Sequence, residues 1–144
     1  MTLPKPASVS VGETFSRCHV FNQMEVRAFA TAAGDTNPLH HDSGIAARSR
    51  YGGLIVSGTH TTALLLGLAA AHFSRSFSVV GTAFSVEFRR AVAADATVQI
   101  GWEVAAVTVA RKAVQRVELR GGVYGQGGEV CVSATGMVRL SAPA

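Results

Sequence analysis

The sequence predicts an α+β fold in which an antiparallel β-sheet curls round one long apolar helix, and two patterns carry that prediction. From Thr59 to Phe73 the residues are apolar nearly all round, and between Tyr51 and Ser74 there is no Asp, Glu, Lys or Arg. A helix without a polar face has to be enclosed by other elements. The enclosing elements follow at once, as four segments in which apolar and polar residues alternate with the period of half-buried strands.

Taken in order, the chain supplies each element with a local signal. Gly12 to Phe21 alternates weakly and predicts a short first strand. Asn22 offers an N-cap, and Glu25 three residues later completes a capping-box pattern. Val26, Phe29, Ala30 and Ala33 fall on one face of the helix that follows, and Gly34 is placed to end it in a left-handed cap. Asp42 or Ser43 can cap a second short helix that runs through Arg50. The glycine-rich stretch from Tyr51 to Gly58 then leads into the apolar helix.

The strand segments are equally plain. Phe84, Val86 and Phe88 alternate with Ser85, Glu87 and Arg89, and Val98, Ile100, Trp102 and Val104 alternate with Thr97, Gln99, Gly101 and Glu103. A third run sets Val117, Leu119 and Val123 against Arg116, Glu118 and Arg120, and a fourth carries Val130, Val132, Ala134 and Val138 on one face. Gly125-Gln126-Gly127-Gly128 marks the turn between the last two, and the region around Arg111 and Lys112 marks another. The expectation is a four-strand meander in a single domain spanning 1–144, with loose ends at 1–10 and 141–144.

Composition narrows the function. Hydrophobic residues make up 48% and charged residues 15%, which excludes disorder and favours burying part of the surface against a second copy. The net charge is +4, but the basic residues are scattered and belong to no nucleic-acid motif, so nucleic acid is not an expected partner. Cys18 and Cys131 have no metal-ligand or disulfide-framework spacing, and a reducing cytoplasm is the expected location. Residues 1–10 carry no signal-peptide pattern, and the most apolar stretch, Ala63 to Ala71, is too short to span a bilayer.

The chemistry concentrates in Gly34-Asp35-Thr36-Asn37-Pro38-Leu39-His40. Pro38 fixes its own φ and pushes Asn37 out of the helical region, so the backbone bends between a carboxylate and an imidazole. Such a bend can bring Asp35 and His40 to one small volume, as a water held between a base and an acid requires. On local chemistry alone a solvated turn remains the competing reading, since Asp, Thr, Asn and Pro are ordinary turn formers.

The wider context resembles a known family. The segment Phe29 to Leu66 is similar to the MaoC-like hydratases, which include the (R)-specific enoyl-CoA hydratases. Their pattern is an aromatic, a few small residues, Gly-Asp-x-Asn-Pro-Leu-His, and a small residue six places on. This chain has Phe29, Ala33, Gly34, Asp35, Asn37, Pro38, Leu39, His40 and Ala46 at those places. Gly53 to Thr61 resembles the family's entry into the central helix.

The resemblance implies the hotdog fold, a homodimer, and addition of water across a trans-2-enoyl thioester. It implies Asp35 and His40 as the pair that activates water. The backbone N–H of Gly58, backed by the helix dipole, would meet charge developing on the thioester oxygen, and glycine there would let the thioester come close. Asn37, Ser57 and Thr59 are the implied substrate-binding residues. No metal and no cofactor is implied, because coenzyme A, or an acyl-carrier-protein pantetheine, arrives as part of the substrate. The chain departs from the family at Ser57, where a His is common, and at Leu66, where some members carry a hydroxyl that bonds the Asp; Thr61 or Thr62 stands as a substitute.

Two other functions compete. Thioesterases of the same fold commonly use an acidic residue on or near the central helix, and Thr59 to Phe73 contains none. A non-catalytic acyl-thioester-binding subunit would be favoured by loss of Asp35 or His40, and both are present. Among the remaining residues, His41 reads as a surface side chain, His60 as structural and His72 as the wet end of the helix. Arg89 and Arg90 suit either solvent or coenzyme A phosphates. Phe73, Phe77 and Phe84 suit core or acyl pocket alike. Asp35, His40, His41 and Asp42 lack the spacing of a standard metal site.

Overall fold

The structure is a computed structural model that describes residues 8–110 and 113–143. Strand β1 (Thr14–Val20) leads to helix α1 (Gln23–Ala32), a 3₁₀ turn (Pro38–His40) and helix α2 (Ser43–Arg48). The long helix α3 (Gly58–Phe73) follows, then β2 (Ser78–Phe88), β3 (Thr97–Val109), β4 (Gln115–Gly125) and β5 (Val130–Ser141). All five strands form one antiparallel sheet in the order β1-β3-β4-β5-β2.

That order corrects the expected meander. Only β3, β4 and β5 are sequential neighbours; β2 pairs with β5 and leaves β3 to pair with β1. The reason lies in the connection from Arg89 to Ala96, which is no hairpin turn. It is tied instead to the segment before α3, with the Val56 amide donating to the Val92 carbonyl and the Ala94 amide to the Leu54 carbonyl. The chain therefore passes across the start of α3 before it enters the sheet again.

Register shifts at Gly81/Ala83 in β2, Val104/Ala106 in β3 and Val123/Tyr124 in β4 bend the strands. The bent sheet wraps α3, whose Leu65, Leu68, Ala69 and Phe73 are buried against Val98, Ile100, Trp102, Val117, Leu119, Val138 and Leu140. Each of the Val, Leu, Ile and Phe side chains among them contributes about 1.5–3 kcal/mol by leaving water. Trp102 adds a polar lock, because its Nε1 donates to the Leu65 carbonyl at 2.8 Å inside the core.

The ends of the elements follow their signals with small differences. The turn at Gly125 to Gly128 is present, with the Gly125 amide on the Glu129 carbonyl. The turn expected around Arg111 and Lys112 lies outside the described residues. Helix α2 ends at Arg48, two residues early, and Asp42 is its cap, accepting from the Ile45 amide at 3.0 Å. Ser141, expected in a loose end, closes β5 opposite Ser78, and Val9 packs against the core.

Candidate active site at the start of the central helix

The site is assembled by the end of α1 and the beginning of α3. Helix α1 ends at Ala32 with Ala33 as its cap, and Gly34 takes φ +72°, a left-handed conformation that glycine adopts without steric cost. The Gly34 amide bonds the Thr31 carbonyl and the Asp35 amide bonds the Ala30 carbonyl at 2.8 Å, the two-bond closure of a Schellman motif. Asp35 is thus fixed to the helix by its own main chain.

The bend at Pro38 then folds the chain back. Asp35 Oδ1 accepts from the Asn37 amide at 3.0 Å, and Asn37 Oδ1 accepts from the Leu39 amide at 3.1 Å. These side chains satisfy donors at the start of the 3₁₀ turn. His40 emerges from that turn buried, with its side chain 7% exposed. Its Nε2 lies 3.4 Å from Asp35 Oδ2, so the predicted convergence is observed.

The other ring nitrogen decides the tautomer. His40 Nδ1 is 2.8 Å from the Ile55 carbonyl, which can only accept, so Nδ1 carries the proton in that bond. In the neutral ring, Nε2 is then an acceptor facing an ionised carboxylate, another acceptor. No water fits between two atoms 3.4 Å apart, but one bound beside the pair can donate to either of them. A held water is what a hydration reaction needs.

His40 and Gly58 both line an open cavity of about 700 Å³, together with Thr59, Thr62, Phe88, Arg50, Tyr51, Arg89 and Arg90 among others. Asp35 does not line it and meets it through His40. At Gly58 the helix presents its first N–H groups and the positive end of its dipole. Ser57 Oγ takes the His60 amide at 3.2 Å, which leaves the Gly58 amide outside the cap. An added Cβ at Gly58 would come within 2.8 Å of the Phe88 ring, so glycine here makes room for an aromatic of the protein itself. A second cavity, of about 440 Å³, lies between α3 and β2 and is lined by Leu66, Ala69, Ala70, Val79, Phe84 and Val138 among others.

Several expected roles change. Asn37 and Ser57 do not line the main cavity; one caps the 3₁₀ turn and the other caps α3. The hydroxyls of Thr61 and Thr62 both turn back to the Gly58 carbonyl, at 3.0 and 2.7 Å, so neither stands in for the missing hydroxyl at Leu66. His41 is more than a surface residue, since its Nε2 donates to the Asp35 carbonyl at 2.6 Å and braces the loop. With Asp42 spent on capping α2, the four-residue metal reading does not assemble, and no cluster of three or more His, Cys, Asp or Glu that could hold a metal forms among the described residues.

Glu25 was the residue least visible in the sequence. Its amide makes the Asn22 half of the capping box, but its carboxylate does not return to Asn22. Oε1 instead joins His19 Nε2 at 2.7 Å and His60 Nε2 at 3.1 Å. His60 is buried, stacked on Phe29 at 4.2 Å, and its Nδ1 has no hydrogen-bond partner. Burial holds its pKa below the ordinary imidazole value, against the opposing pull of Glu25. The i, i+3 signal at Asn22 and Glu25 was correct about position and uninformative about where a flexible carboxylate would point.

Comparison with known proteins places this geometry in context. The family model described as MaoC like domain matches residues 4–123. The (R)-specific enoyl-CoA hydratase of Aeromonas caviae is 28% identical over 134 residues, covering 92% of this chain and 96% of that protein. A solved structure of the A. caviae (R)-hydratase, described as involved in PHA biosynthesis, superposes with a TM-score of 0.84 over 93% of this chain and 98% of its own. R-Hydratase PhaJ1 from Pseudomonas aeruginosa, 22% identical, shares the fold with a TM-score of 0.79 over 94% of this chain and 83% of its own.

Proposed function

The chain belongs to the MaoC-like domain family and has its hotdog fold, and we propose that it adds water to a trans-2-enoyl-CoA to give the (R)-3-hydroxyacyl-CoA, or removes it in reverse. The observation that carries this reading is the arrangement of His40, pinned through Nδ1 to Ile55 and facing Asp35 through Nε2, beside a cavity that opens on the first turn of α3. The likeness to the A. caviae hydratase supports the substrate class and the stereochemistry.

In this mechanism the Asp35–His40 pair holds a water. One member removes its proton as the oxygen attacks C3, and a proton is delivered to C2. The electrons displaced from the double bond collect on the thioester oxygen as an enolate. The Gly58 amide, already oriented and with the helix dipole behind it, stabilises that charge without reorganising. Thr59 borders the same space, and Phe88 offers an apolar wall.

The reaction needs no metal and no cofactor beyond the coenzyme A of the substrate. A homodimer and a cytoplasmic location complete the proposal. The dimer is supported by the edge strand β2, where Val80 and Phe88 are each 60% exposed. Unpaired strand edges invite a partner. Among the described residues no helix is long and apolar enough to cross a membrane.

The deciding experiment follows enoyl absorbance with crotonyl-CoA and longer enoyl-CoAs, with Asp35→Asn in parallel. Loss of absorbance that depends on Asp35 and yields the (R)-alcohol supports the hydratase. Release of free thiol without hydration would replace it with a thioesterase.

A further inference from the structure

The cavity that holds His40 and the start of α3 has a rim with a marked charge. Arg50, Arg89 and Arg90 all line it, and no Asp or Glu does. Among the described residues, Arg50 and Arg90 make no ion pair with a carboxylate, although Arg89 pairs with Glu87 at 2.8 Å. Scattered surface arginines normally carry no information. Three on the lip of one cavity, with the proposed reaction centre inside, are a different arrangement.

Two of the three are held in place before any ligand arrives. The Arg50 guanidinium lies 5.0 Å over the Tyr51 ring, and its Nη2 donates to the Tyr51 hydroxyl at 3.0 Å. Arg89 Nε donates to Ser133 Oγ at 2.9 Å. The main chain at Arg89 and Arg90 is anchored as well, because both amides donate to the Cys131 carbonyl. A planar guanidinium fixed at one edge still offers donors at the other, in the fork that suits phosphate oxygens.

We infer that Arg50, Arg89 and Arg90 form a phosphate-binding rim that selects a thioester carried on the coenzyme A nucleotide over one carried on a protein-bound pantetheine. The inference rests on the enoyl-CoA reading of the site and assigns the residues that recognise its carrier. Coenzyme A brings a diphosphate and a 3′-phosphate to the mouth of the cavity, whereas protein-bound pantetheine brings one phosphodiester. Several guanidinium groups match several phosphates better than one. The apolar Phe88 and the threonines further in suit the uncharged pantetheine arm.

Calorimetric binding of free coenzyme A, 3′-dephospho-coenzyme A and pantetheine to the full chain tests the rim without requiring turnover. Coenzyme A is expected to bind tightest and pantetheine weakest. Arg50→Gln and Arg90→Gln are each expected to weaken coenzyme A binding by roughly three- to tenfold while leaving pantetheine unchanged. Equal binding of all three ligands, or coenzyme A binding indifferent to both substitutions, would overturn the proposal.

Kinetics separate this from the reaction itself. Hydration of crotonyl-CoA with KM unchanged in both variants would sink the rim and leave the hydratase standing. Arginine-dependent coenzyme A binding without hydration would leave the rim and remove the hydratase. A crotonyl acyl-carrier protein used with higher kcat/KM than crotonyl-CoA would also refute the stated preference.

Discussion

His40 and Asp35 face each other at 3.4 Å through two atoms that are both acceptors when the imidazole is neutral. The replacement Asp35→Asn is the sharpest probe of that relationship. It keeps an oxygen to accept from the Asn37 amide, so the loop should fold as before. Its new amide can donate to His40 Nε2 directly and so take up the lone pair that would accept from a water. Turnover of crotonyl-CoA should fall about 10²- to 10⁴-fold with coenzyme A binding nearly unchanged. Wild-type turnover in this variant would remove Asp35 from the mechanism.

Gly58 and Phe88 should behave as one packing unit. Gly58→Ala puts a methyl against the ring of Phe88, which is 60% exposed and can swing aside, and should cost no more than about 1 kcal/mol, read by urea denaturation. Adding Phe88→Ala should remove most of that cost, since the clash is with a side chain. Strictly additive losses would show that the strain arises elsewhere.

The buried His60 predicts a pH dependence of stability. Its folded-state pKa is lowered by desolvation, so the unfolded chain takes up the proton first as pH falls. Its contribution is fully present above the ordinary imidazole value of about 6.5 and is lost as pH falls from there through the folded-state pKa. Melting temperatures of the native chain and His60→Gln, measured from pH 8 to 5, should converge on the acid side. Parallel curves would contradict the assignment.

Trp102 ties the sheet to the middle of α3. Trp102→Phe removes the donor to the Leu65 carbonyl and part of the indole volume, and should destabilise by about 1–3 kcal/mol. A chemical denaturation midpoint indistinguishable from native would mean the bond contributes nothing net.

The proposed dimer edge is testable at Val80, which is 60% exposed on β2 and distant in sequence from the loop at Asp35. Val80→Lys places a charge on that edge, a device that blocks strand pairing. The expected result is a shift from dimer to monomer in sedimentation. An unchanged dimer would move the interface to another face.

Periodicity made the elements legible, and the reason is local. The uncharged run into α3 and the alternation in the strands record burial directly, as Leu65 and Trp102 show. Strand order was not legible, because Val86 and Val98 alternate identically whether their strands pair or not. Pairing was set by the long connection at Arg89 to Ala96, whose hydrogen bonds run to a segment far off in sequence. At the site, the bend was readable since Gly34 and Pro38 constrain the backbone, and that bend carries Asp35 to His40. Asn37, Ser57, Thr61 and Thr62 were not, because a short polar side chain can serve its own main chain as easily as a ligand.

The loop that carries Asp35 has consequences for how this chain can be altered. Its amide is held by Ala30, its carbonyl by His41 and its Oδ1 by Asn37, so Oδ2 alone stays open to the imidazole. Each of those bonds counts residues along the chain. An insertion or deletion of even one residue between Gly34 and His40 would break several at once. Variation in length should therefore be tolerated at the turn after β4, and redesign for new substrates belongs on the face of α3 rather than in this loop.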